Sequence, residues 1–264
     1  MNKSKALSIF LFLPLLIIFL ISNVICPNIV TASNDITASQ FVSSMNTGWN
    51  LGNSLDVYYG NATGDGNLSL ETRWENPKVT QEQISFVKSQ GFDVIRIPVT
   101  WYVHTYTSSD GALHIHPDWL KRVREVVDYS INAGFYVIIN THHDDALFFT
   151  GVSDQQFSIV KNNAVAIWSD IASYFADYDS HLIFESFNEV NNLETGFSFG
   201  DKAASQMNEL NHIFVDKVRS YGGYNSSRIL MVPTLLDNSG SRFENAFKLP
   251  SDKATDKIIV TVHK

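Results

Sequence analysis

HLIFESFNEV, residues 181–190, starts as a buried strand and ends in chemistry. Leu182, Ile183 and Phe184 are apolar, and Glu185, Asn188 and Glu189 follow within five residues. A parallel strand covered on both faces is written as a short, nearly unbroken apolar run. Packing alone gives no reason to stop such a run with two carboxylates and an amide. Five further segments have the same build: MNTGWNLGNSLD (45–56), DVIRIPVTW (93–101), FYVIINTHHDD (135–145), RILMVPTLLDN (228–238) and KIIVTVHK (257–264).

Helical patterns separate these runs. Thr80 and Gln83 are spaced as a capping box ahead of Ile84 and Val87, and Gly91 ends that helix. Pro117 opens a second helix with Leu120, Val123 and Val127 on one stripe, closed by Gly134. Ile167, Ile171 and Tyr174 or Phe175 mark a third, which carries Trp168 toward the core. Met207, Leu210, Phe214 and Val218 mark a fourth, stopped by Gly222 and Gly223. Strand and helix alternate throughout, which predicts an α/β fold with a parallel sheet and right-handed crossovers.

The strand ends choose between a doubly wound sheet and a barrel. No G-x-G-x-x-G or P-loop follows the first run, as a nucleotide-binding open sheet would require. Instead, polar groups close almost every run: Asn53, Arg96, His142, Asn188 with Glu189, and His263. Convergence from many strand ends suits the C-terminal mouth of a (β/α)8 TIM barrel, whereas an open sheet gathers its site at one switch point. A closed barrel needs eight strands and six are legible, so about six of eight βα units are expected here, in a chain truncated at its C-terminus.

The bulk properties narrow the partners. The 264 residues carry a net charge of -8, which disfavours nucleic acid and leaves neutral substrates open. Residues 1–32 read as an export signal or N-terminal anchor: Lys3 and Lys5 precede an apolar run from Ala6 to Ile21, and Val30-Thr31-Ala32 offers a cleavage site. Membrane association is expected only if that segment stays uncleaved. The catalytic domain is expected over 36–264, secreted and monomeric. The single cysteine, Cys26, would leave with the signal, so the mature domain has no disulfide and no thiolate metal site. Three N-glycosylation triplets begin at Asn61, Asn67 and Asn225.

Each chemical group has a plain alternative. Glu189 could be an ordinary loop glutamate, yet a carboxyl at a barrel mouth among apolar and aromatic walls becomes a proton donor near neutral pH. Asn188 beside it can both donate to and accept from a sugar hydroxyl. Strand alternation places Glu185 on the face of Glu189, deeper in the barrel, and Arg96, inside an apolar strand, is the partner a buried carboxylate needs. His142 and His143 resemble metal ligands, but neighbours on a strand face opposite ways, so no metal or other cofactor is expected. His142 is expected to donate a hydrogen bond to substrate, with His143 packed or at the rim. A Ser-His-Asp hydrolase is disfavoured because no G-x-S-x-G elbow exists. Trp49, Trp74, Trp101, Tyr58 and Tyr59 cluster near early strand ends, where aromatic faces could stack on sugar rings.

GWNLGNSLD, GFDVIRIPVTW, VIINTHHD and FESFNE, in this order, resemble glycoside hydrolase family 5, most of all its secreted cellulase-like endoglucanases. The resemblance runs from about Asn46 to His263. It implies a (β/α)8 barrel that cleaves internal β-1,4 bonds of cellulose or related β-glucans with retention, without a cofactor. Mannan or xyloglucan specificity, or an inactive glycan-binding fragment, are the alternatives. It further implies that Glu189 is the general acid/base, that Asn188 grips the sugar, that Arg96 supports the nucleophile with His142 beside it, and that His263 lines the cleft. Trp49, Asn53, Trp101 and His143 complete the expected substrate-binding set. The family's tyrosine after the His263 position, its nucleophilic glutamate and its last-strand tryptophan would lie past Lys264, and Val190 stands where the family usually has proline.

Overall fold

The computed structural model describes residues 36–60 and 66–263, all within one compact unit, Ser33–Lys264. The expected export segment, with Cys26, and the Asn61 triplet lie outside the described residues. Six strands form one all-parallel sheet in chain order: β1 (Gly48–Asn50), β2 (Val94–Ile97), β3 (Tyr136–Asn140), β4 (Leu182–Glu185), β5 (Leu230–Asn238) and β6 (Ile258–His263). Helices α1 (Ala38–Ser44), α2 (Gln81–Ser89), α3 (Pro117–Asn132), α4 (Asp154–Tyr174), α5 (Asp201–Ser220) and α6 (Ser241–Ala246) alternate with them. Sequential parallel strands with a helix between each strand and the next are the repeating pattern of a barrel.

Local chemistry sets the helix ends. Thr80 accepts from the Gln83 N–H while the Gln83 side chain accepts from the Thr80 N–H, which completes the expected capping box. Ser153 and Gln156 build a second one ahead of α4. Pro117 occupies the first turn of α3, where no N–H is missed. Gly91 (φ +94°) and Gly134 (φ +86°) turn the chain out of α2 and α3 in a conformation that a Cβ would resist.

Alternation along the strands makes two apolar layers. Ile95, Ile97, Val137, Ile139, Leu182 and Phe184 pack under the helices in the main core, together with Trp168. Val94, Ile138 and Ile183 belong to the opposite face and pack with Ile229 against Phe41 of α1. Helix α1 is anchored there by the Ala38 N–H donating to Asp256 O at 2.7 Å and by Lys257 Nζ donating to Ile36 O at 2.7 Å. Going up each strand, the next inward positions are Asn50, Arg96, Asn140 and Glu185. The floor is therefore apolar and the layer above it polar.

Arg228 fixes the lower end of β5. It is 1% exposed and donates to Asn225 Oδ1, Asp179 O, Leu182 O, Phe175 O and Tyr178 O. Burial pulls its pKa down to about 9. Arg228→Ala leaves those buried acceptors unpaired and should cost about 3–5 kcal/mol, read from the urea midpoint at unchanged m-value. A loss below about 1 kcal/mol would mean that water replaces the guanidinium. The Asn225 triplet is no glycan site in this fold, because Asn225 is fully buried and its Nδ2 donates to Ala172 O. Asn67 is half-buried.

Candidate active site

Arg96 organises the upper layer. Its Nε donates to Glu185 Oε2 at 2.6 Å, Nη1 to Asn50 Oδ1 at 3.1 Å and Nη2 to Asn188 Oδ1 at 2.9 Å. Three strands are thus tied by one guanidinium. Glu185 is 1% exposed, so the inward structural carboxylate expected of it is what the fold contains. Asn188, with its oxygen taken by Arg96, keeps its Nδ2 hydrogens for another acceptor.

Glu189 is placed by its backbone. Strand β4 stops at Glu185, and Glu189 sits beyond it with φ +44°, so simple alternation does not carry from one glutamate to the other. Its N–H donates to Asp237 Oδ2, and its Oε1 lies 2.8 Å from His263 Nδ1 at the end of β6. The side chain is 51% exposed, rather than walled in by the apolar and aromatic groups expected from the sequence. Asp237 is delivered by two successive left-handed residues, Leu236 (φ +58°) and Asp237 itself (φ +51°). Such a pair is rare for side chains with a Cβ and marks a place where structure overrides local preference. Burial raises the Asp237 carboxyl above the ordinary range against the opposing pull of the Glu189 N–H and His263.

The histidine pair differs from expectation. His142 and His143 lie past the end of β3, so the rule that strand neighbours diverge does not apply to them. Their rings meet edge to face at 4.5 Å, and atoms of Asp56, His142 and His143 come within 4.8 Å of one another. Tyr58, Trp74 and His143 then form an aromatic wall, with centroids 5.0 to 5.9 Å apart. Burial, then the charges of Arg96, His143 and His263, push the His142 pKa down to about 2. The next two residues differ from each other. Asp144 is fully buried and accepts from the N–H groups of Trp101 and Tyr102, while burial carries its pKa up to about 7. Asp145 accepts from Asn191 Nδ2 at 2.9 Å and so ties the loop after β3 to the loop after β4.

Two expected sugar platforms are elsewhere. Trp101 is fully buried, and its Nε1 donates to Asn140 O, so it belongs to the core. Trp49 is 42% exposed but alternates with Asn50, so it lies on the outer face, edge-on to Phe92 and beside Phe86 and Val87 of α2. Asn53 is exposed in the loop after β1 with φ +58°, its carbonyl held by Asn76 Nδ2 at 2.8 Å. Asn50, Asp56, Asn140 and Asp237 were not singled out from the sequence. For Asn50 and Asn140 the signal was available, since each is a polar residue directly after a large apolar one, Trp49 or Ile139, at the end of a strand-like run.

A family model, cellulase (glycosyl hydrolase family 5), matches residues 59–264. Endoglucanase A of Ruminococcus albus is 40% identical over 87% of this chain, and endoglucanase A of Clostridium longisporum is 38% identical over 89%. The chain spans 60% and 44% of the length of those two relatives. Among solved structures, a broad specificity endoglucanase from Ruminococcus champanellensis with bound cellotriose superposes with a TM-score of 0.81 at 36% identity, covering 89% of this chain and 68% of that one. A glycoside hydrolase 5 lichenase from Caldicellulosiruptor sp. F32, in complex with cellotetraose, gives 0.78 at 38% identity, covering 87% and 63%. The fold is therefore a (β/α)8 barrel, six of whose strands lie in the described residues. On the family match, the ordered strand-end motifs and this architecture, the chain belongs to glycosyl hydrolase family 5.

Proposed function

We propose that this protein is a secreted, retaining endo-β-1,4-glucanase acting on cellulose or related β-glucans, with Glu189 as general acid/base. The observation that carries the proposal is the placement of Glu189. Asp237 fixes its backbone, His263 contacts its carboxylate, and Asn188, on the Arg96 guanidinium, stands one residue away. A carboxyl so held can protonate a leaving glycosidic oxygen and then accept a proton from water. Asn188 Nδ2 and His142 face the same mouth and suit sugar hydroxyls, and the Tyr58–Trp74–His143 wall suits a sugar ring. Relatives bearing the name endoglucanase, and neighbours with bound cellotriose or cellotetraose, support the same substrate class.

Retention needs a second carboxyl about 5–5.5 Å from the first. Glu185 is paired with Arg96, and Asp237 Oδ2 accepts from the Glu189 N–H. As the resemblance to the family implies, the proposal assigns the nucleophile to a segment outside these residues, with Arg96 on the side that supports it. The same observation favours a second reading, glycan binding without cleavage, for the 264-residue chain by itself.

One experiment separates these. The protein is expressed as this chain and as any longer form its gene encodes, then assayed on carboxymethyl cellulose, lichenan, xyloglucan and mannan. The expected result is recovery from the medium with an N-terminus near Ser33, hydrolysis of β-1,4-glucans by a longer form, and binding at most by this chain. Hydrolysis by this chain alone would overturn the assignment of the nucleophile. No hydrolysis of any β-glycan by any form would overturn the enzyme.

A further inference from the structure

Asn140 closes β3 with its side chain fully buried. Its Oδ1 accepts from the Val99 N–H at 3.1 Å. A backbone N–H can only donate, so the atom facing it must be the amide oxygen, and the other arm of the amide is the NH2. That NH2 lies 3.2 Å from His142 Nδ1. It has only hydrogens to offer, so Nδ1 must present its lone pair. A neutral imidazole carries one proton, which then sits on Nε2.

The ring is held neutral by its surroundings. The groups around it are Arg96 on β2, His143 next in the chain, His263 at the end of β6 and Asp56 in the loop after β1. Burial and the first three oppose a charge on His142. Asp56, whose Oδ1 accepts from the Ser54 N–H at 2.8 Å, would favour one, and burial outweighs it.

We propose that Asn140 is a positioning residue that locks His142 in the neutral Nε2–H tautomer, so that the ring offers a fixed hydrogen-bond donor to a substrate hydroxyl oxygen. The substrate half of this rests on the glucanase reading, whereas the tautomer does not. A hydroxyl can donate or accept, so a ring free to switch tautomer would bind it in either sense. The Val99–Asn140–His142 chain removes that freedom, starting from a backbone N–H that cannot reverse. It also decides what the Asp56–His142–His143 grouping can be. A metal would need the Nε2 lone pair, and Asn140 puts a proton there instead.

The test reads the proton directly. Two-bond 1H–15N correlation spectra of the 15N-labelled protein, with His142 assigned by its loss in His142→Asn, should show protonated Nε2 and unprotonated Nδ1, unchanged from pH 5.5 to 8. A proton on Nδ1, or titration of the ring within that range, would overturn the proposal. Asn140→Asp keeps the shape and the acceptor for Val99 but replaces the donor with a second acceptor. The Nδ1 and Nε2 signals should then exchange character or both become protonated, and kcat/KM of an active form should fall. An unchanged spectrum in folded Asn140→Asp would also overturn it. If that variant does not fold, the unsubstituted protein's spectrum still decides. The expected spectrum together with no glucan hydrolysis in any form would sink the glucanase reading while supporting the tautomer assignment.

Discussion

Glu189→Gln should lower turnover on a β-1,4-glucan by about 10²- to 10⁴-fold in an active form of the protein, with KM nearly unchanged. Glutamine keeps the size of the side chain, and its amide oxygen can still face His263 Nδ1. The backbone bond from Glu189 N–H to Asp237 does not involve the side chain and persists. The side chain is half exposed, so the substitution leaves no buried orphan and stability should hold. What disappears is the proton for the leaving oxygen and, in the second step, the base for the attacking water. The loss in kcat/KM, which reports the step in which the leaving group departs and not the later water step, should therefore depend on the leaving group: severe on cellulose, whose departing hydroxyl is a weak acid, and much smaller on a dinitrophenyl cellobioside, whose departing phenolate needs no proton. Equal losses on both would reject Glu189 as the acid and point to a binding role. An unaffected rate on cellulose would reject any part for it in the chemistry.

The sequence carried the fold because the fold rests on patterns it displays. Apolar runs, capping boxes and helix-ending glycines are local, and the structure places them as the spacing predicts. Arg96 was legible for a stronger reason: a guanidinium in an apolar strand demands a carboxylate, and Glu185 was the one deep enough to meet it. Some of the failures share a cause. A strand end can be read from sequence, but the side on which a residue leaves it cannot be carried past the last hydrogen-bonded pair. Trp49 is a separate failure: it lies within the paired strand β1, yet it was counted toward the mouth although Asn50, one residue on, holds the inward position. Alternation was applied to His142 and His143 although both lie beyond β3, and the two rings touch. Trp101 sits just before a 3₁₀ turn, Tyr102–His104, and its buried indole donates to Asn140 O at the end of β3. Asp237 was hidden more deeply. It reaches Glu189 only because Leu236 and Asp237 are both left-handed, and no residue preference announces that.

Arg96→Met should be the most damaging single change to the barrel layer, and the way it can be repaired separates its two roles. Glu185 is 1% exposed, with Arg96 Nε 2.6 Å away. Removing the cation leaves a buried carboxylate uncompensated, which costs about 3–5 kcal/mol in comparable sites. Asn50 and Asn188 lose their shared donor at the same moment, so the residue next to Glu189 is no longer tied to β2. Arg96→Met should thus lower both the urea midpoint and kcat. Adding Glu185→Gln removes the orphan charge without restoring the link to Asn188. The double variant should recover most of the lost stability, a coupling well beyond additivity, while turnover stays low. Recovery of both would reduce Arg96 to a partner for Glu185 with no hold on the site. Recovery of neither would mean that the three-way guanidinium link, rather than the buried charge, dominates the stability of this layer.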